Sequence, residues 1–263
     1  MNDLTIVKVG GNLIDNEIDL DKFLDAFTSI PGKTLLVHGG GKLATNLATR
    51  LGIETKMVNG RRITDAENLK LVTMVYAGFV NKTIVALLQA KGKNALGICG
   101  SDLNIIQSEK RKHPTLDFGF VGDITEVNTK ALSNLIENDI TLVIAPITHD
   151  GKGQLLNTNA DSIVTEIAIA LSKIYKVKLI YSFEKAGVLR SMENELDVIP
   201  TLSESDIKEM QERGSIHTGM MPKTDNAIKA MKNGVSEVII GNLVDIQHNN
   251  LPGTKIISFE TGN

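Results

Sequence analysis

Two lysines and one aspartate stand where strand patterns end or helical patterns begin, the places where open α/β sheets bind ligands. Lys8 lies in the apolar run Leu4–Val9, and a lysine buried there without a partner would be costly. It is therefore expected at the carboxyl end of a strand, facing a ligand or, as the alternative, solvent at a sheet edge. Asp161 and Lys223 each stand at the start of a helical pattern. Asn159 or Asp161 could act only as a helix cap, whereas Lys223 opposes the helix dipole and suggests a bound anion.

Three glycine clusters follow strand patterns or precede helical ones. They are Gly10-Gly11, Gly39-Gly40-Gly41 and the region around Gly219. Glycine lets backbone amides approach a phosphate closely, and a following helix N-terminus adds partial positive charge. The alternative is that these glycines only end strands and form turns. The sequence has no Walker A pattern, which argues against a P-loop ATPase.

One glycine cluster also fits a different class of protein. The segment Gly39-x-Gly41-x-x-Ala44 follows a strand pattern and opens a helix, as a degenerate dinucleotide fingerprint would. Glu54 lies near the place of a ribose-binding acid. An NAD(P)-binding domain is therefore the rival interpretation, although it gives no role to Lys8, Asp161 or Lys223.

Several other kinds of site have no pattern in the sequence. The five histidines and the single cysteine show no metal-ligand spacing, and no Gly-x-Ser-x-Gly elbow predicts a serine hydrolase. His38, beside a glycine cluster, is interpreted as a hydrogen-bonding structural residue rather than a base. Twenty-eight basic against 31 acidic residues, with few aromatic ones, do not favour a nucleic-acid partner. We expect no metal site built by the protein alone.

Alternating strand and helix patterns must position these residues, and they predict an α/β protein with a mainly parallel sheet. The strand patterns are Leu4–Val9, Thr34–Val37, Ala95–Cys99, Phe118–Val121, Thr141–Ala145, Lys178–Ser182, Glu237–Ile240 and Lys255–Ser258. The helical patterns are Leu43–Leu51, Ala66–Leu88, Thr129–Asn138, Ala160–Leu171, Ser203–Arg213 and Thr224–Lys232.

Two segments depart from this alternation, and one point divides the chain. Ile53–Ile63 is expected to form a hairpin, with Asn59-Gly60 at its turn. Gly100–Asp123 has mixed patterning and is expected to be antiparallel decoration. A lobe boundary near Ser172–Lys176 would separate residues 1–174 from residues 175–263.

No secretory signal is visible, and no apolar run is expected to approach the roughly 20 residues of a membrane helix. We expect a soluble, cytoplasmic protein, which a single cysteine fits.

Five motifs in this order make the chain resemble the amino acid kinase family. They are Lys8-Val9-Gly10-Gly11, His38-Gly39-Gly40-Gly41, Asn59-Gly60-Arg61-Arg62, Asn157-Thr158-Asn159-Ala160-Asp161 and Gly219-Met220-Met221-Pro222-Lys223. The resemblance implies an αβα sandwich around an open, mainly parallel sheet. Its N-terminal lobe would bind an acyl-amino acid and its C-terminal lobe ATP. The third and fourth motifs favour members that phosphorylate the side-chain carboxylate of N-acetyl-L-glutamate in arginine biosynthesis, with N-succinyl-L-glutamate as an alternative substrate.

The resemblance also implies roles for individual residues. Lys8 and Lys223 would stabilise the transferring phosphoryl group, and Asp161 would orient both lysines. The substrate carboxylate is already ionised near neutral pH, so no general base is required. Mg²⁺ would be held mainly by the ATP phosphates. Gly40, Gly41, Arg62 and Asn157 would bind the acyl-amino acid, and Gly10, Gly11, Ser182, Glu184 and Gly187 would bind the nucleotide or its phosphates.

Two features differ from many relatives. Where they have a Leu-Thr-Asp-Val-x-Gly nucleotide segment, residues 181–187 here are one residue longer, with Glu184 in the place of the acid. Arginine-inhibited relatives carry an additional N-terminal helix that joins dimers into hexamers, whereas the first strand here begins at Leu4. We therefore expect a homodimer, formed through Ala66–Leu88, without arginine feedback.

Overall fold

The structure, a computed structural model, describes residues 1–58, 61–190, 197–213, 220–248 and 252–257. Its strands are β1 (Asp3–Val9), β2 (Lys33–His38), β3 (Met57–Val58), β4 (Arg61–Arg62), β5 (Ala95–Cys99), β6 (Ile106–Lys110), β7 (Gly122–Val127), β8 (Thr141–Ala145), β9 (Ile147–His149), β10 (Leu155–Asn157), β11 (Lys176–Ser182), β12 (Thr201–Ser203), β13 (Glu237–Gly241) and β14 (Thr254–Ile257). Its α-helices are α1 (Gly11–Ile14), α2 (Glu17–Thr28), α3 (Gly41–Leu51), α4 (Ala66–Thr73), α5 (Asn81–Ala90), α6 (Thr129–Glu137), α7 (Ala160–Leu171), α8 (Glu204–Glu212), α9 (Met221–Lys232) and α10 (Leu243–His248).

An eight-stranded sheet runs through the molecule in the order β12-β14-β13-β11-β1-β2-β8-β5. The pairs from β13 to β5 are parallel, and β14 is antiparallel to β13. The predicted mainly parallel sheet is therefore confirmed. β1 lies at the centre, between β11 and β2, so Lys8 is not an edge lysine. The sheet edge at which β1, β2 and β11 end is the edge that carries the glycine turns.

Two apolar cores cover the two faces of this sheet, as expected of an αβα sandwich. One core contains Leu4 and Ile6 of β1 with Ile163 of α7. The other contains Val7 of β1 with Phe23 of α2. Side chains alternate between the two faces along a strand, so the side chain of Lys8 lies on the same face as those of Leu4 and Ile6, the face covered by α7.

The helix α2 was not predicted, although its sequence carries a clear signal. Asn16 caps it by accepting hydrogen bonds from the amides of Ile18 and Asp19. Its buried side chains recur at helical spacing, at Leu20, Phe23, Leu24 and Phe27. The sequence signal of α2 is therefore its N-cap together with the helical spacing of its apolar residues.

The predicted helix at Ala66–Leu88 is confirmed as one continuous helix, Ala66–Ala90, with π-type bonding over Met74–Val80. By length and apolar composition it could cross a membrane, a test that core helices of water-soluble proteins also pass. The expectation that no apolar run approaches that length is therefore wrong for this helix. Its inner side chains are buried in the core shared with α2, and Met74 and Phe79 are exposed.

A second sheet has four strands in the order β10-β9-β6-β7. It contains antiparallel β6–β7 pairing, which confirms the antiparallel decoration expected of Gly100–Asp123. The strand predicted at Phe118–Val121 is wrong, because Gly119 and Val121 form only isolated bridges and the strand begins at Gly122. The hairpin β3–β4 confirms the pairing expected within Ile53–Ile63, while its turn residues 59–60 lie outside the described residues.

Candidate functional site

Lys8, Asp161 and Lys223, which are far apart in the sequence, meet at the glycine-bearing edge of the large sheet. The Nζ atom of Lys8 lies 2.9 Å from Oδ1 of Asp161, and the Nζ atom of Lys223 lies 3.6 Å from its Oδ2. All three side chains are largely buried, the most exposed being that of Lys223 at 18%. Two cations therefore share one carboxylate, which leaves a net positive charge at this point.

The charges determine how Asp161 titrates. Burial would raise the pKa of its carboxyl, but the ammonium groups of Lys8 and Lys223 outweigh burial and hold that pKa below its ordinary value. The carboxylate is thus ionised throughout the neutral range. Asp161 is therefore suited to hold two like charges close together and unsuited to act as a base.

Local structure fixes the position of Asp161. Asn159 caps α7 by accepting from the amides of Asp161 and Ser162, so Asp161 lies in the first turn without being the cap itself. The hydroxyl of Thr165 donates to the carbonyl of Asp161 at 2.5 Å and lies 2.7 Å from the buried hydroxyl of Tyr181. The first turn of α7 is therefore anchored to β11, the strand beside Lys8.

The glycine turns after β1 and β2 lie against each other. A Cβ atom on Gly11 would lie 3.8 Å from the amide nitrogens of both Gly40 and Gly41, so these three backbones approach closely. Gly40 has φ +150°, and a Cβ there would lie 2.9 Å from the ring of Tyr76. Gly11 begins α1 and Gly41 begins α3. The eleven-residue α3 directs its partial positive end at the gap between the turns.

A cavity of about 440 Å³ opens beside these turns. It brings together most of the predicted substrate and catalytic residues, and Lys223 reaches Asp161 from outside its wall. The predicted residues that line the cavity are Lys8, Gly11, Gly40, Gly41, Arg62, Asn157 and Asp161. Size and polarity suit a small anionic molecule rather than a large apolar one.

Arg62 is a buried cation in the wall of this cavity, only 6% exposed. Its guanidinium donates to Thr55 Oγ1 at 2.9 Å, Thr45 Oγ1 at 2.7 Å, the Gly41 carbonyl at 3.1 Å and Asn68 Oδ1 at 3.4 Å. None of the carboxylates in the described part of the chain forms an ion pair with it. A rigidly held, buried guanidinium without a counter-ion is suited to bind a carboxylate.

Asn157, at the end of β10, lines the same cavity. Its Nδ2 donates to the hydroxyl of Thr64 at 3.0 Å, and that hydroxyl donates to the carbonyl of Arg62 at 3.2 Å. Because the Thr64 hydroxyl has one proton, this arrangement fixes which end of the Asn157 amide faces Thr64. Asn157 can then offer its Oδ1 and a second N–H proton to a polar ligand.

The residues predicted for the nucleotide are less clearly placed. Ser182 is fully buried. Its hydroxyl accepts a hydrogen bond from the amide of Leu243, and its carbonyl accepts one from the amide of Gly10. Glu184 is exposed and accepts a hydrogen bond from Nδ2 of Asn12 at 2.8 Å. A Cβ on Gly187 would lie 2.4 Å from Val198, so packing alone explains that glycine. The motif residue Gly219 lies outside the described residues.

Sequence reasoning missed other residues that line the cavity. Tyr76 packs on Gly40, and burial raises the pKa of its hydroxyl, an effect that the charge of Arg62 opposes. Arg61 and Arg111 add two further cations. Arg61 could have been suspected from its place beside Arg62, whereas Arg111 stands in a segment without a motif. Arg111 pairs with Asp123, and burial together with the charge of Arg111 lowers the pKa of Arg61.

The dinucleotide interpretation has no support in this geometry. In that fold, the acid follows the second strand of the sheet, one strand after the glycine turn. Here Glu54 is an exposed loop residue that pairs with Lys56, and the described chain continues into the hairpin β3–β4. The position of Lys223 at a helix start predicted a nearby anion, and the carboxylate of Asp161 is one such anion.

The chain is similar to several known proteins. Residues 3–242 match the profile of the amino acid kinase family. The chain is 54% identical over 237 residues to the acetylglutamate kinase of Phocaeicola vulgatus, covering 90% of this chain and 92% of that one. The crystal structure of smu.665 from Streptococcus mutans is similar with a TM-score of 0.78 and 27% identity, over 96% and 98% of the two chains. Giardia lamblia carbamate kinase bound to AMP-PNP has a TM-score of 0.70 at 14% identity, over 98% and 99%, and shows the shared fold.

Proposed function

Because this chain belongs to the amino acid kinase family, we propose that it transfers the γ-phosphoryl group of ATP to the side-chain carboxylate of N-acetyl-L-glutamate, a step of arginine biosynthesis. The product would be N-acetyl-L-glutamyl 5-phosphate and ADP. The observation that carries the proposal is the buried cluster of Lys8, Asp161 and Lys223 beside two glycine turns. Relatives about 50% identical over most of the chain, named acetylglutamate kinases, identify the acceptor.

Phosphoryl transfer requires positioning and charge neutralisation more than proton chemistry. An oxygen of the substrate carboxylate attacks the γ-phosphorus, and the bond from that phosphorus to the β,γ-bridging oxygen breaks, leaving its electron pair on ADP. Lys8 and Lys223 neutralise negative charge on the phosphoryl group during its transfer. The carboxylate of Asp161 holds the two lysines together against their mutual repulsion. The amides of Gly11, Gly40 and Gly41 supply further donors. No proton moves, which is why no base is needed.

Arg62 and Asn157 are proposed to hold the acyl-amino acid. The guanidinium of Arg62, which forms no ion pair with a carboxylate of the described residues, would bind the α-carboxylate, since the other carboxylate must reach the phosphate. Asn157 would bind the acylamido group, with its amide oriented by Thr64. Both residues come from elements that precede α7, in residues 1–174, the proposed substrate lobe.

ATP is proposed to bind across the C-terminal lobe, residues 175–263, as its complex with Mg²⁺. Gly10, Ser182, Glu184 and Gly187 remain proposed nucleotide contacts. Among the described residues, no group of three or more His, Cys, Asp or Glu side chains could hold a metal ion. The phosphates are therefore the proposed ligands of the cation, which enters with its substrate.

A specific observation bears on the acyl group. Beyond Arg62, the cavity wall contains Arg61 and Arg111, and Arg111 already pairs with Asp123, which leaves Arg61 as the further cation. An N-succinyl group would add a third carboxylate, which the guanidinium of Arg61 could bind. N-succinyl-L-glutamate is thus the second candidate acceptor in the same reaction.

We also propose a cytoplasmic homodimer that uses the helix Ala66–Ala90. Its exposed Met74 and Phe79 form an apolar outer face on a helix whose inner face is in the core. Burying such side chains between two copies would remove them from water.

The test is hydroxylamine trapping of acyl phosphate with Mg·ATP. Four acceptors are compared: N-acetyl-L-glutamate, N-succinyl-L-glutamate, free glutamate and aspartate. Hydroxamate from an N-acylated glutamate alone is the expected result, and the ratio of kcat/KM values identifies the acyl group. Absence of hydroxamate with all four acceptors would refute the proposed reaction. It would favour a catalytically inactive protein with this fold, or a dinucleotide-binding protein.

A further inference from the structure

A chain of hydrogen bonds runs from the exposed Lys82 through the buried Asn81 and His38, and it connects the long helix to the glycine turn after β2. The Nζ atom of Lys82 lies 3.1 Å from Oδ1 of Asn81 and 2.7 Å from the carbonyl oxygen of Gly97. Nδ2 of Asn81 lies 3.2 Å from Nε2 of His38. Nδ1 of His38 lies 2.7 Å from the carbonyl oxygen of Gly39. His38 is completely buried, so this chain ends inside the protein, directly behind the glycine turn.

The donors and acceptors of this chain follow from its first member. The ammonium of Lys82 can only donate, so the Asn81 atom beside it must be the amide oxygen. The Asn81 nitrogen therefore donates to the carbonyl of Val143, 2.9 Å away, and to Nε2 of His38. Since Nε2 accepts, the neutral ring carries its proton on Nδ1 and donates it to Gly39. Burial lowers the pKa of His38 to about 4, against the hydrogen bond to Gly39, so the ring is neutral at pH 7.

The sequence makes room for this chain at one particular glycine. A Cβ atom on Gly97 would lie 2.0 Å from Oδ1 of Asn81, so any other residue there would displace the asparagine. Gly97 lies in β5, within a continuous strand, where glycine otherwise weakens the sheet. The close approach of the Asn81 side chain therefore explains why position 97 is a glycine, whereas strand formation does not explain it.

The orientation of one carbonyl determines that of the next amide. A trans peptide is planar, and its C=O and N–H point in opposite directions. The described backbone has no cis peptide bond. With its oxygen held by His38 on the buried side, the Gly39–Gly40 peptide directs the Gly40 amide away from the ring, towards Gly11 and the cavity that both glycines line. Within the described residues this amide has no hydrogen-bond partner.

We propose that His38 is a positioning residue for phosphoryl transfer, holding the Gly39 carbonyl so that the Gly40 amide donates to an oxygen of the reacting phosphoryl group. The inference rests on the proposed kinase function. His38 touches no reacting atom and exchanges no proton during the reaction. Asn81 and Lys82 act through it, by keeping the ring in the tautomer that can donate to Gly39.

Two substitutions of nearly equal chemistry separate this role from simple packing. In His38→Asn the side-chain amide nitrogen takes the place of Nδ1 and can still donate to Gly39. In His38→Gln the amide reaches the place of Nε2, so the contact with Asn81 remains and the donor to Gly39 is lost. Removing one fixed donor to a developing anion lowers kcat by about 100- to 1000-fold in other enzymes, and loosening one should cost about 10- to 100-fold. We expect that decrease for His38→Gln, and a kcat within about 5-fold of the wild type for His38→Asn.

The KM values distinguish positioning from general damage. We expect both KM values, for Mg·ATP and for the acylglutamate, to stay within about 3-fold in both variants, because an interaction realised in the transition state moves kcat. Equal kcat values for the two variants, with the wild type active, would overturn the proposal and leave the kinase function standing. A wild type that forms no hydroxamate would instead refute the function.

A measurement on the unmodified protein covers the case in which neither variant folds. Nitrogen-15 NMR of wild-type protein labelled at histidine reports which ring nitrogen of the buried residue is protonated at pH 7. A neutral ring with its proton on Nδ1 is expected. A proton on Nε2, or a doubly protonated ring, would overturn the proposal.

Discussion

Replacing Asp161 by asparagine keeps the shape of the side chain and removes the charge that two lysines share. At an effective dielectric constant of about 20, the contacts at 2.9 Å and 3.6 Å correspond to about 6 and about 5 kcal/mol of attraction. Most of this offsets the cost of burying the charges. Once the carboxylate is neutral, Lys8 and Lys223 repel each other without compensation and move apart.

The expected loss of function is large. Losing one fixed electrostatic donor costs about 100- to 1000-fold in kcat, and Asp161→Asn disturbs two, so we expect kcat to fall by at least about 100-fold. Breaking a buried ion pair costs about 3–5 kcal/mol of unfolding free energy, and the partial exposure of Lys223 favours the lower end. Hydroxamate formation and urea unfolding measure the two effects separately.

The same two helices provide a matched control. Glu166 of α7 pairs with Lys229 of α9, outside the cavity. Glu166→Gln therefore removes an α7–α9 ion pair without touching the site, and we expect no more than about 1 kcal/mol of destabilisation and an unchanged kcat. If Asp161→Asn kept near-normal kcat, the assignment of Asp161 as organiser of the two lysines would be refuted.

Three further predictions concern the substrate, the effect of pH and the assembly. Arg62→Lys should raise the KM for the acylglutamate about 10- to 100-fold and leave that for Mg·ATP unchanged, since a single ammonium cannot replace a guanidinium held by four acceptors; equal changes in both KM values would contradict this. The pKa of His38 is about 4 when folded and about 6.5 when unfolded, so the unfolded chain alone binds this proton between those values. The free energy of unfolding should therefore decrease by up to about 3 kcal/mol as pH falls from 6.5 to 4. Plots of this free energy against pH, from urea titrations of wild type and His38→Asn, should differ in slope over that window, and parallel plots would show that the pKa of His38 is not lowered in the folded protein. Phe79→Glu should convert the proposed dimer to a monomer in sedimentation, while Lys70→Glu on the same helix should not; a Phe79→Glu variant that sediments as a dimer would contradict this interface.

How far the sequence predicted the fold depended on local signals. The helix at Ala160–Leu171 was predicted at its observed bounds because Asn159 caps it and its apolar positions recur regularly. The segment Phe118–Val121 was taken for a strand on apolar content alone, but its partners lie at Thr64 and Asn157, which no local pattern reveals. Pairings of this kind are decided by tertiary contacts.

The site was predictable to a similar degree. Lys8 could be placed at the carboxyl end of a strand because burying it elsewhere would be too costly. Its contact with Asp161 and Lys223, more than 150 residues away, followed only from the resemblance to a family. Arg111 was missed because it stands in an irregular segment, and its place in the cavity wall depends on the small sheet that carries it.

The most direct test of the reaction follows the oxygen that attacks phosphorus. N-acetyl-L-glutamate labelled with ¹⁸O in both oxygens of its side-chain carboxylate is incubated with Mg·ATP and hydroxylamine. Hydroxylamine attacks the acyl carbon, so the phosphate released keeps the oxygen through which it was joined to the substrate. The account predicts inorganic phosphate containing one ¹⁸O atom for each hydroxamate formed. Phosphate without ¹⁸O would show that water, and not the carboxylate, had accepted the phosphoryl group, and would contradict the proposed function.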